Sequence, residues 1–172
     1  MFRLLNKKKK DNKGFSLVEL VIVIAILAIL VGILAPQYTK YVEKTRKAAD
    51  ASNMDEMVKV VKVYAADPAN ELAEGTYTIT IKTNGGTELS SVADKTGLTA
   101  ELNASIPNWT STTTKSKKWG VNGKPTSIIA YVAVNAEGGT SVTYATGDAT
   151  GTDTTNNKFA QYMSSGEAKA KE

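Results

Sequence analysis

Residues 15–35 read FSLVELVIVIAILAILVGILA, and Glu19 is the one ionisable side chain among them. As a helix rising ~1.5 Å per residue, this run spans about 30 Å, the thickness of a bilayer's hydrocarbon core. A helix that is apolar on every side must be covered by lipid or by other apolar surface, and that demand constrains everything after it. Ahead of the run stand Arg3, Lys7, Lys8, Lys9, Lys10 and Lys13, opposed only by Asp11. A basic cluster of this kind is retained on the cytoplasmic side. The expectation is a single-pass membrane helix with its N-terminus inside and the bulk of the chain outside.

Glu19 is the anomaly in the run. A charged residue at mid-depth costs about 2.5–3.5 kcal/mol on insertion scales. Glu19 lies about one turn inside the apolar stretch, near the positive end of the helix dipole, so its cost is smaller than at the centre. Two readings stay open on helix physics alone. In one, Glu19 snorkels to the headgroups. In the other, a cut between Gly14 and Phe15 creates an ammonium at Phe15, and Glu19 of a neighbouring copy pairs with it inside an apolar bundle.

Lys13-Gly14-Phe15-Ser16-Leu17-Val18-Glu19-Leu20 resembles the class III signal of type IV pilins and pseudopilins. Gly14, Phe15 and Glu19 fall on the positions where that family places the last leader residue, the first mature residue and the fifth mature residue. Pro36 matches the helix-bending proline that the family places after the apolar run. The resemblance covers roughly residues 1 to 66. It implies that a membrane aspartic peptidase, the prepilin peptidase, cuts after Gly14, that Phe15 is then N-methylated, and that Glu19 sets the register of assembly. It also implies a pilin fold, α+β, with a long N-terminal helix packed on an antiparallel β-sheet meander. The implied partners are other copies of the chain in a filament, the membrane, the peptidase and a pilus assembly platform. The subunit would be single-pass in the cytoplasmic membrane before assembly and in an extracellular surface pilus after it. Adhesion and twitching motility come from the resemblance alone.

Competing readings explain less. A secretory signal peptide has a shorter apolar region and small residues before its cut. This run is longer, and it ends Ile33-Leu34-Ala35-Pro36. A plain signal-anchor accounts for the lysines and the length but not for Gly14-Phe15 or Glu19. A pseudopilin of a type II secretion or DNA-uptake system shares the whole N-terminal argument and is the alternative reading. An anchored hydrolase would need converging catalytic groups outside the membrane, and the sequence offers none.

Composition narrows the chemistry. The 172 residues contain neither cysteine nor histidine. A Cys/His metal site is therefore excluded, and nucleophile triads lose their usual parts. No cofactor, metal site or catalytic residue is expected, and the chain reads as a non-enzyme. Many pilins close the C-terminal part of the domain with a disulfide. This chain departs from that pattern, so sheet hydrogen bonds and core packing must serve instead. The formal charge is +4, from 21 basic and 17 acidic residues. The first 14 residues hold six of the basic and one of the acidic, leaving 15 against 16, or net −1 before a new terminus is counted. A near-neutral mature chain gives no whole-molecule argument for nucleic-acid binding.

The expected organisation is a leader over 1–14, an apolar helix half over 15–36, an amphipathic helix half over 37–66, and a β-sheet domain with a C-terminal tail over 67–172. Residues 37–66 lack Gly and Pro. Their apolar positions, Tyr38, Tyr41, Val42, Thr45, Ala48, Ala49, Met54, Met57, Val58, Val61, Tyr64 and Ala65, form one face. The opposite face carries Lys40, Glu43, Lys44, Arg46, Lys47, Asp50, Asp55, Glu56, Lys59 and Lys62. Pro68 ends the helix. Gly32 and Pro36 predict a bend over residues 32–37, and two readings stay open: a static kink, or a bend that loosens when the subunit enters a polymer.

Beyond residue 70 the chain alternates strand and turn signals. Thr76–Ile81 reads as a half-buried strand, followed by an Asn84-Gly85-Gly86 turn. Residues 87–114 read as a polar connection holding a short helix near Thr99–Ala104, with Thr99 as its cap. Asn122-Gly123 reads as a hairpin turn between Lys118–Val121 and a strand over Thr126–Asn135. Glu137-Gly138-Gly139 makes the next turn and Thr140–Ala145 the next strand. Trp109 and Trp119 read as core aromatics rather than ligand stackers. Lys115, Lys117 and Lys118 read as a solvated strand edge rather than a DNA contact. Asp148 and Asp153 lack the spacing of a calcium loop. Phe159–Tyr162 is expected to pack back on the sheet, and Glu167–Glu172 to fray. Abundant Ser and Thr permit O-glycosylation without naming a site.

Overall fold

The computed structural model describes residues 14–120, 123, 125–147 and 157–165. The chain divides into two units, Met1–Tyr41 and Val42–Glu172. One helix, α1 (Leu17–Ala66), supplies the described body of the first unit and opens the second. It stops where expected. Asp67 turns extended ahead of Pro68, and its Oδ1 accepts from Ala69 N at 2.9 Å. Proline disfavours helical backbone in the residue before it, and Asp67 caps the short 3-10 turn Pro68–Asn70 that follows.

Among the described residues of the second unit, four antiparallel strands form one sheet: β1 (Gly75–Ile81), β2 (Thr87–Ser90), β3 (Ile128–Val134) and β4 (Thr140–Thr146). Their spatial order is β2-β1-β3-β4. The antiparallel sheet is as expected, but its neighbours are not purely sequential. β2 occupies one side of β1, and the chain crosses over to set β3 on the other. Register aligns one apolar face: Tyr77 pairs with Val132, which pairs in turn with Val142, and Ile79 pairs with Ala130, which pairs in turn with Tyr144. Met54, Met57, Val58 and Val61 of α1 are fully buried in the same core as Tyr77, Ile79, Ile81, Ile128, Ala130 and Val132.

Several expectations are corrected. The span 87–114 is not wholly connection, because β2 lies in it. Gly85 and Gly86 hold φ of 90° and 83°, and Lys82 N donates to Gly86 O, so the turn closes a hairpin. A Cβ on Gly86 would collide with the carbonyl oxygen of Thr110. The next helix, α2 (Thr96–Ser105), starts before Thr99. Asp94 Oδ1 accepts from both Thr96 N and Thr96 Oγ1, which turns the chain three residues early. Thr99 lies inside the helix and donates to Lys95 O. Residues 118–120 are not strand, because nearby backbone donors are drawn to side chains instead. Val121, Asn122 and Lys124 lie outside the described residues.

The helix face is also redrawn. Tyr38 and Tyr41 are exposed, and Ala48 and Ala49 only half-buried, while Ala51 takes a core position. Asp50, placed with the charged face, is buried. The last helix, α3 (Lys158–Ser164), returns Phe159 and Tyr162 to the core as expected.

Candidate processing and assembly site

The α1 helix begins with a reciprocal cap. Ser16 Oγ accepts from Val18 N at 3.3 Å, and Glu19 Oε2 accepts from Ser16 N at 2.8 Å. Leu20 N donates to Ser16 O, closing the first turn. This is a capping box, in which a serine and a glutamate three residues later satisfy orphan donors of the first turn. Gly14, Phe15 and Ser16 lie ahead of the helix in irregular, exposed backbone. Phe15 is 89 % exposed. Nothing lies within 4 Å of where a Cβ on Gly14 would stand. The Gly14–Phe15 peptide is therefore open on the described chain.

Behind the cap the apolar run has no cover. Its large side chains from Val18 to Leu34 are 49–63 % exposed, whereas those of the sheet core fall below 9 %. Among the described residues, α1 is the one helix long and apolar enough to cross a membrane. It is helical through both Gly32 and Pro36. Pro36 has no N–H to donate to the preceding turn, and Thr39 Oγ1 donates to the Pro36 carbonyl at 3.0 Å.

A second constellation lies in the sheet domain. Asp50 Oδ1 accepts from Lys115 N at 2.7 Å. Its Oδ2 accepts from Ser116 N at 2.9 Å and from Trp119 Nε1 at 2.8 Å. Ser116 Oγ donates to Glu43 Oε1 and accepts from Lys118 N. The Trp119 ring meets Phe159 and Tyr162 edge-on at 5.1 and 5.6 Å, and Lys47 Nζ sits 4.7 Å from its centroid. Burial pushes the Asp50 carboxyl above its ordinary value, against the opposing pull of its three donors and of the Lys115 charge.

Residues 9–35 match the prokaryotic N-terminal methylation motif. This is the class III signal of type IV pilins and pseudopilins, and here it leads into a long apolar helix. The methylation motif is a structural pilin and pseudopilin signal, not an enzyme signature, and it implies polymerisation and a prepilin peptidase substrate. A single apolar N-terminal helix is compatible with membrane anchoring before assembly. No curated protein and no solved structure matches the chain.

Within the motif the structure brings Ser16 and Glu19 together and leaves Gly14 and Phe15 accessible, while the leader lysines lie outside the described residues. Ser16 was missed in the sequence, although Ser-x-x-Glu before an apolar run is a helix-start signature. Trp109 and Trp119 are buried, as read. Lys115, Lys117 and Lys118 belong to a loop tied to Asp50, not to a strand edge. The Asp50 constellation had no local signal, because Asp50 lies 65 to 69 positions from its donors, with β1, β2 and α2 between them. Asp148, Asp153 and the Glu167–Glu172 tail lie outside the described residues.

Proposed function

We propose that this chain is a structural subunit of a type IV pilus and that its mechanism is assembly. The precursor sits in the membrane by its apolar helix. The leader is removed after Gly14, Phe15 becomes the N-terminal residue and is methylated, and the helix leaves lipid to bundle with its copies. Each helix exchanges hydrocarbon contacts for neighbouring helices, so cohesion is chiefly apolar packing. An unpaired carboxylate in that bundle is costly, so subunits settle where Glu19 meets a Phe15 ammonium. The bend at Gly32 and Pro36 accommodates the transfer. The sheet domain forms the outer surface of the filament.

The uncovered apolar run headed by a single carboxylate carries this reading. A helix of this kind has no stable free state in water, and polymerisation covers it. N-terminal mass spectrometry of sheared surface fibres tests it. A methylated Phe15 terminus on the main fibre component is expected. A chain absent from surface fibres but processed at Gly14 instead favours the pseudopilin reading, and a chain that retains residues 1–14 rules out both.

A further inference from the structure

The sheet domain carries opposite charge at the two ends of the stretch of α1 within it. At one end Arg46 is exposed, and Lys47 is half-buried with Nζ 4.7 Å from the centroid of the Trp119 ring. Lys115, Lys117 and Lys118 are exposed on the loop that Asp50 and Glu43 hold there through Lys115 N, Ser116 N and Ser116 Oγ. The acids at this end are committed inside the subunit. Asp50 is buried on three donors, and Glu43 accepts from Ser116 and lies 3.8 Å from Arg46.

At the other end Asp67, Glu71, Glu74, Asp94 and Glu137 are exposed. The first three follow the last residue of α1 closely in the sequence. The turn at Glu137 is set against that terminus, since a Cβ on Gly138 would lie 2.5 Å from Ala65 O. Asp94 is brought in by its neighbours: Ala93 Cβ stands 3.7 Å from the Cβ position of Gly75, and the Tyr64 hydroxyl fills the space beside Gly97 of α2. Among the described residues, the cations here are Lys62 on α1 and Lys95, whose Nζ donates to Leu89 O at 2.8 Å. The last turn of α1 carries no basic residue.

A helix C-terminus is the negative end of the dipole and favours cations. These carboxylates therefore stand where the subunit's own field repels them, and the arrangement requires positive charge from outside. The basic end of the same copy cannot supply it. Lys47 and Ala66 are nineteen residues apart on one helix, or about 28 Å. We infer that the basic end of one sheet domain docks on the acidic end of the sheet domain of a second copy. A patch that meets a different patch on the next copy makes a heterologous contact, which can propagate an open filament. The inference rests on the filament reading above. It adds a salt-sensitive, register-setting contact between sheet domains to the apolar packing of the helices.

Carbodiimide coupling of sheared fibres, read by peptide mass spectrometry, tests this. The reagent joins a carboxylate to an amine in direct contact and leaves no spacer. With about 28 Å of helix between the two ends of one copy, an amide from Lys115, Lys117 or Lys118 to Glu71 or Glu74 reports two copies. Such amides are expected in fibres and not in detergent-dispersed subunits, and raised salt during coupling should cut their yield. Charge reversal gives a second arm. K117E/K118E, which keeps the backbone donors to Asp50, should lower fibre yield about fivefold at unchanged leader cleavage, and so should E71K/E74K. The chain with both ends reversed should recover most of the wild-type yield, which a folding defect would not allow. Wild-type fibres that lack these amides, or a doubly reversed chain no better than either parent, overturn the inference and leave the filament reading standing. So does a yield that falls with K117E/K118E but not with E71K/E74K, which would make an anionic polymer the occupant of the basic end. Absence of the wild-type chain from surface fibres removes the inference together with the filament reading.

Discussion

Trp119 Nε1 donates to Asp50 Oδ2 at 2.8 Å, joining the centre of α1 to a loop 69 positions later. The contact links two parts that are far apart in the sequence. Trp119 carries α3 by its ring contacts with Phe159 and Tyr162, and Asp50 carries the loop by two backbone donors. In a chain without cysteine, this buried carboxylate ties the C-terminal part of the domain to the helix.

Removing the acceptor should therefore be costly. Asp50→Ala leaves three donors in a dry site, and breaking a buried charged partner typically costs about 3–5 kcal/mol. Asp50→Asn keeps one acceptor oxygen but turns an amide donor toward a donor, for a loss of about 1–3 kcal/mol. Urea unfolding of the full chain in detergent measures both. Equal stability of wild type and Asp50→Ala would show that the loop is held by packing alone.

The same residue sets a pH dependence. The folded carboxyl titrates above its ordinary value of 3.8 because burial outweighs its hydrogen bonds. Above 3.8 the unfolded chain gives up this proton first, so the folded state binds more protons and stability falls as pH rises. The fall ends once pH passes the raised folded value. The wild-type stability minus that of Asp50→Asn should therefore decline as pH rises from 3.8 and then level off. A difference that increases over that range would reverse the sign and place the hydrogen bonds above desolvation.

How much of this was legible depended on how local each signal was. The membrane-length run, the Pro68 stop, and the strands around Ile79, Val132 and Val142 rest on contiguous patterns and appear where expected. β2 was missed because four residues, Thr87–Ser90, carry too little alternation to stand out in a polar stretch. Asp50 looked like any charge on a solvated face. Its burial follows from a crossing loop whose donors no helical period can reveal. Ser16 is the opposite case: its cap with Glu19 was readable from four consecutive residues, but the apolar run around it drew the reading toward the membrane.

Three glycines separate steric need from flexibility. A Cβ on Gly86 meets the Thr110 carbonyl, and one on Gly138 lies 2.5 Å from the Ala65 carbonyl, both at positive φ. Gly86→Ala and Gly138→Ala should each destabilise the domain, by about 1–3 kcal/mol for a strained backbone. Gly32 is different, since nothing lies within 4 Å of its Cβ position. Gly32→Ala should favour the helix by about 0.8–1.0 kcal/mol. Thermal melts of the domain should leave Gly32→Ala unchanged. If the bend is used in assembly, Gly32→Ala should yield fewer sheared fibres at unchanged leader cleavage; normal yields would make Gly32 a passive site.

Glu19 has two roles that substitutions can separate. Its carboxylate caps Ser16 within the subunit, and in the proposed filament its charge meets a Phe15 ammonium on a neighbour. Glu19→Gln retains an acceptor oxygen for Ser16 N and loses only the charge. Ser16→Ala retains the charge and loses the hydroxyl cap, for about 0.5–2 kcal/mol of helix stability. If the charge sets register, Glu19→Gln should be cleaved normally and still yield few or irregular fibres, while Ser16→Ala should polymerise with modest loss. If capping is what matters, the order inverts, because a frayed first turn would disturb both cleavage and packing. Immunoblots of cleaved subunit against sheared fibre, run in parallel for both variants, distinguish the two. Abundant regular fibres from Glu19→Gln would remove the carboxylate from the assembly mechanism and leave apolar packing to fix the register.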